Sequence, residues 1–104
     1  MKIEKCDEDV IRQIERRNPL GDCNSLDLYD CFKQLGIIVE KEKVEMLEKI
    51  IWDWKEPSIS ECCHWYRVHC INPSCTKMII KLIGAEYSWC GGPACLLSCV
   101  QVTL

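Results

Sequence analysis

Two cysteine pairs share one pattern. Cys70-Ile71-Asn72-Pro73-Ser74-Cys75 and Cys90-Gly91-Gly92-Pro93-Ala94-Cys95 both read C-x2-P-x-C and begin twenty residues apart. Asn-Pro and Gly-Gly-Pro favour tight reversals, which turn two nearby thiols toward a common point. Four convergent thiolates suit zinc, and the same thiols in an oxidising compartment suit disulfides. The thiols and imidazoles available are Cys62, Cys63, His64, His69, Cys70, Cys75, Cys90, Cys95 and Cys99. The simplest closed set is Cys70, Cys75, Cys90 and Cys95, spaced C-x4-C-x14-C-x4-C. Four cysteines leave no open coordination position, so such a zinc is structural, although the common knuckle spacing is C-x2-C. The remaining residues offer a second site or substitutes in the first.

Two other readings compete for the same sulfurs. Ten cysteines in 104 residues place the chain near the disulfide-stapled class, and the even count permits five bridges. Cys6 and Cys31 fall on apolar helical faces and read as small buried hydrophobes. Compartment decides between metal and disulfide. The start Met1-Lys2-Ile3-Glu4-Lys5-Cys6-Asp7-Glu8-Asp9 has no apolar stretch of a secretory leader. If Met1 is the native start, a cytoplasmic location and metal binding follow. A processed, secreted chain reverses that. Catalysis would need an activated thiolate, for which His64 or His69 is the only imidazole. No nucleophile motif and no third orienting group accompany them, so the chain reads as a non-enzyme.

Charge divides the chain near residue 61. Residues 1–61 carry 15 acids and 10 bases, whereas residues 62–104 carry one acid, three bases and seven of the cysteines. The expected organisation is therefore a helical segment over 1–61 and a cysteine-rich segment over 62–104. Neither part is basic enough to imply nucleic acid, and no apolar run is long enough for a transmembrane segment.

The elements that must position these groups follow from periodicity. Helices are expected over 6–17, 26–35 and 40–54. The first has Cys6, Val10, Ile11 and Ile14 on one face and stops at Asn18-Pro19-Leu20-Gly21. The second, capped by Asn24 or Ser25, presents Leu28, Cys31, Phe32 and Leu35 and stops at Gly36. The third presents Val44, Leu47, Ile50, Ile51 and Trp54, with Glu42, Glu45, Glu48 and Lys49 opposite. Beyond it, 60–69 reads as a short helix, while 78–83 and 99–104 read as short strands. The expected fold class is mainly α: three amphipathic helices followed by a small cysteine-rich segment with short strands.

The stretch from Phe32 to Leu47, with Leu35-Gly36 between two amphipathic helices, resembles a calmodulin-like paired EF-hand over residues 10–63. Ile51 matches the last apolar helix position, and Ile59 the loop position that pairs two loops. The resemblance implies a helical packing or partner-binding unit but no calcium. Its second loop, Trp52 to Cys63, places Trp52, Trp54 and Cys63 at ligand positions and Pro57 at the glycine. Its first, Arg16 to Asp27, places Arg16 and Leu20 at ligand positions. Only Asp22, Asn24, Asp27 and Glu56 remain as oxygen donors. Ser25-Leu26-Asp27-Leu28-Tyr29 with Gly36-Ile37-Ile38 also resembles the centre of a death-effector domain, although residues 1–24 are too few for its earlier helices.

Trp52, Trp54, Trp65, Tyr66, Tyr87 and Trp89 either fill the core or anchor a partner. Trp52 and Trp54 cannot share a helix face, so at least one is expected to be partly exposed. The functional expectation is a small protein-interaction module, with an unknown protein partner and a zinc-stabilised cysteine-rich segment. The alternative is a secreted, disulfide-stapled helical ligand or effector.

Overall fold

A computed structural model describes residues 1–6, 9, 12, 21–55, 63–85 and 94–104. In chain order the elements are β1 (Lys2–Lys5), β2 (Gly21–Ser25), α1 (Leu28–Gln34), α2 (Lys41–Asp53), β3 (Cys63–Cys70), β4 (Lys77–Ala85) and β5 (Ala94–Thr103). The five strands make one antiparallel sheet in the order β1-β5-β4-β3-β2. This corrects the mainly α expectation. The stretch 60–69, expected as a helix, contributes β3 instead. Its side chains alternate: Tyr66, Val68 and Cys70 are in the main core, while His69 belongs to the opposite face. That is a strand's period of two, not a helical stripe.

The two segments on either side of residue 61 share the sheet. β1 pairs with β5 in the register Ile3 to Val102, and β2 pairs with β3 in the register Cys23 to Val68. Neither Lys-Ile-Glu-Lys nor Gly-Asp-Cys-Asn-Ser has strong strand preference. Each is a strand because a neighbour supplies its hydrogen bonds, so tertiary pairing overrides propensity. Their short length and, in β1, alternating charge suit sheet edges. Lys2 and Glu4 pair at 2.9 Å in solvent, and that contact raises the Lys2 pKa.

Among the described residues, α1 and α2 form close to where periodicity places them. α1 buries Leu28, Cys31 and Phe32, spaced i, i+3, i+4, against β2 and β3. Its cap is Asp27 rather than Asn24 or Ser25: Asp27 Oδ1 accepts from the Tyr29 N–H at 3.0 Å. Gly36 turns the chain with φ +74°, a conformation that suits glycine. α2 buries Val44, Leu47 and Ile51. The helix expected over 6–17 lies almost wholly outside the described residues, where only Asp9 and Arg12 are seen, both helical. The second loop of the EF-hand resemblance ends at Cys63, which is the first residue of β3.

The main core lies between the helices and one sheet face, where Tyr66, Val68, Met78, Ile80, Leu82, Leu97, Val100 and Val102 meet α1 and α2. Each large side chain buried there contributes roughly 1.5–3 kcal/mol of transfer free energy. A β-bulge adjusts β5. Leu82 faces Ser98 but Ile83 faces Leu96, so Leu97 is the extra residue and joins the core. The opposite face is also covered: Ile79 and Cys99 are buried there, with Cys6 and Ile71 packed against them. β4 is thus buried on both sides. This accounts for the unbroken apolar run Met78-Ile79-Ile80.

Candidate functional site

Of the four cysteines expected to form one metal centre, Cys70, Cys75 and Cys95 lie on described backbone and Cys90 lies outside the described residues. Cys70 and Cys75 are joined by a disulfide. Cys70 sits opposite Met78, and Cys95 opposite Gly84, six residues farther along β4. At about 3.3 Å per residue this puts Cys95 about 20 Å from Cys70, whereas zinc holds each sulfur at about 2.3 Å. Cys90 and Cys62 lie outside the described residues, as do the side chains of Cys63 and Cys95. Cys99 belongs to the opposite face of the sheet from Cys70. His64 and His69, separated by an odd interval on one strand, also project to opposite faces. Among the described residues no three His, Cys, Asp or Glu side chains converge.

The first cysteine pair closes the β3–β4 hairpin. Asn72 organises it. Its Oδ1 accepts from the N–H groups of Thr76 at 3.0 Å and Lys77 at 3.1 Å, and its Nδ2 donates to Thr76 Oγ1 at 2.7 Å. The Asn72 carbonyl accepts from the Cys75 N–H at 3.0 Å. Cys75 has φ +53°, the left-handed region that side chains other than glycine rarely adopt. These bonds and the disulfide hold it there. The turn chemistry of Asn-Pro predicted that the two thiols meet.

A second cysteine pair was not legible as a pair. Cys23 on β2 and Cys31 on α1 are both buried thiols. Cys23 Sγ donates to Gln34 Oε1 at 3.0 Å, and Gln34 Nε2 donates to Asp30 Oδ2 at 2.7 Å. Ser25 Oγ donates to the same Asp30 oxygen at 3.0 Å, completing a polar chain along the β2–α1 corner. Cys31 Sγ lies 3.7 Å from the Cys23 carbonyl oxygen. Burial pushes the Cys31 thiol up to about 12, and the neighbouring Cys23 thiol adds to the shift by charge and by hydrogen bonding. At neutral pH it stays protonated, which makes it a poor nucleophile.

A third group joins α2 to β3. Trp52 Nε1 donates to Tyr66 Oη at 2.7 Å, and the His64 ring meets Trp52 edge-on with centroids 4.8 Å apart. Lys55 Nζ stands 5.5 Å from the Trp52 ring centre. Burial raises the Tyr66 pKa, opposed by the Trp52 hydrogen bond. Trp52 is half-buried and Trp54 is exposed, so Trp52 fills a structural role while Trp54 faces solvent.

The exposed apolar surface gathers elsewhere, on the linker between the helices. After Gly36, the Ile37 N–H donates to the Phe32 carbonyl at 2.8 Å. Ile37 and Val39 pack inward against the core. The alternation leaves Ile38 pointing outward, 100% exposed. Two clefts flank it. One, of about 410 Å³, is lined by Tyr29, Lys33, Gly36, Ile37, Ile38 and Val39. The other, of about 320 Å³, is lined by Met1, Ile38, Val39, Glu40, Lys43 and Leu104. Ile38 is the ridge they share. The sequence signal was present: three successive β-branched residues, Ile37-Ile38-Val39, cannot all face one core.

No protein-family model, curated protein or solved structure matches the chain.

Proposed function

We propose that the chain is a non-enzymatic protein-interaction domain that docks a short peptide segment of another protein on the linker between α1 and α2. The observation that carries the reading is Ile38, an isoleucine wholly in solvent between two clefts. Exposed apolar groups clustered beside concave surface mark binding sites more often than scattered ones do. Tyr29 and Leu104, 41% and 42% exposed, extend the apolar area on either side. The charged side chains lining the clefts are Lys33, Lys43 and Glu40, so the local balance is positive although the chain as a whole carries −3. The occupant with matching chemistry is a peptide that places apolar side chains in the two clefts and an acidic residue beside a lysine. The Cys70–Cys75 disulfide supports the secreted alternative for where the domain works.

Selection from a randomised displayed peptide library tests the reading. Enrichment of sequences with apolar residues next to Asp or Glu is expected. Their affinity should fall at least tenfold, about 1.4 kcal/mol, in Ile38→Asp, and also in Lys33→Glu combined with Lys43→Glu. Folding should be unaffected, because a fully exposed side chain away from structural contacts shifts stability by only about 0.5 kcal/mol. Selected peptides that bind Ile38→Asp as well as the parent chain would reject the site.

A further inference from the structure

We propose that Cys23 and Cys31 form a dithiol modification site, which a small-molecule disulfide of the glutathione class converts into a covalent tie between β2 and α1. Four observations meet at this corner. Both residues are thiols on different elements, so a bond between them would join an edge strand to a helix. The Cys31 sulfur is 3.7 Å from the Cys23 carbonyl oxygen, so the Cys31 thiol lies against the Cys23 residue itself. The two differ in access: Cys31 is 0% exposed and Cys23 8%. Cys23 is also held in place, by its hydrogen bond to Gln34.

This difference in access orders the chemistry. The Cys23 thiolate attacks one sulfur of the small-molecule disulfide. A bond forms between Cys23 Sγ and that sulfur, the original S–S bond breaks, and one small thiol leaves. Cys31, after losing its proton to solvent, attacks Cys23 Sγ. The Cys23–Cys31 bond forms, the mixed disulfide breaks, and the second small thiol leaves with a proton. Two protein thiols lose two electrons, and one external disulfide gains them. The raised pKa of Cys31 makes the second step slow at neutral pH and faster as pH rises.

Peptide mapping of the folded chain tests the proposal. The protein is treated with oxidised glutathione, quenched by alkylation in denaturant and digested with chymotrypsin, which cuts beside Leu26, Leu28 and Tyr29 and so separates the two cysteines. The expected product is a Cys23 fragment linked to a Cys31 fragment, with neither alkylated. In Cys31→Ala the reaction should stop at Cys23 carrying glutathione. In Cys23→Ala, Cys31 should be recovered alkylated. Should either variant fail to fold, the map of the unsubstituted chain still decides. Recovery of both cysteines alkylated after treatment overturns the proposal, as does Cys23 linked to Cys70 or Cys75 of the same core.

Discussion

Burial makes the Cys31 thiol a source of pH-dependent stability. Its folded pKa stands near 12 against an ordinary 9.0, raised first by desolvation, then by Cys23, Asp30 and Asp27. Unfolding returns it to the ordinary value. Between those two pH values the native state holds more protons than the unfolded one, so stability falls as pH rises. Below the lower value the contribution is intact. Tyr66 acts with the same sign, because burial raises its phenol above 10.0. Glu48 has the same sign at lower pH: burial and Asp27 raise its carboxyl, so its contribution is present at low pH and is lost as pH climbs past its folded value. Comparing urea midpoints of the parent and Cys31→Ala at pH about 8 and about 10.5 isolates the thiol. The variant should lose less stability over that interval than the parent. Equal losses would show that Cys31 ionises freely in the native state.

At the scale of elements, the β3–β4 hairpin carries the disulfide seen among the described residues. The disulfide closes a loop from Cys70 to Cys75, and Asn72 satisfies two backbone N–H groups inside it. A loop this short is worth about 2 kcal/mol by the chain-entropy argument. Replacing both cysteines with alanine should therefore cost about 2 kcal/mol in chemical denaturation. A loss below about 0.5 kcal/mol would mean that the Asn72 bonds hold the turn without help. The elements also differ in how they announce themselves. α1 and α2 carry complete apolar stripes, Leu28-Cys31-Phe32 and Val44-Leu47-Ile51, and both were placed within a few residues. β3 was misread because Trp65-Tyr66-Arg67-Val68-His69 mixes large amphipathic side chains on both faces. Alternation becomes visible there only when a core is known.

Taken as one molecule, the domain is layered about β4. Met78, Ile80 and Leu82 serve the helix-side core, and Ile79 the other face. β4 is flanked by β3 and β5, while β1 and β2 each have one described neighbour. Amide exchange should follow that arrangement: the β4 amides exchange only with global unfolding, and those of β1 and β2 by local opening. Hydrogen-exchange mass spectrometry under native conditions reads this directly. Protection of β2 equal to that of β4 would contradict the layering and would imply a further element on the β2 edge. By itself the sequence determined what depends on near neighbours: the two helical stripes, the glycine stop at Gly36, the Asn-Pro reversal between Cys70 and Cys75, and the strand character of residues 78–83 and 99–104; that the two thiols form a disulfide came from the structure. Only the tertiary structure decided the rest. Edge pairing makes strands of β1 and β2, whose own preferences do not. The β3–β4–β5 register spaces Cys95 away from Cys70. Cys23 and Cys31 meet because α1 lies across β2. Ile38 is exposed because its neighbours Ile37 and Val39 take the inward positions. Each of these depends on long-range pairing and burial, which residue spacing along the chain does not contain.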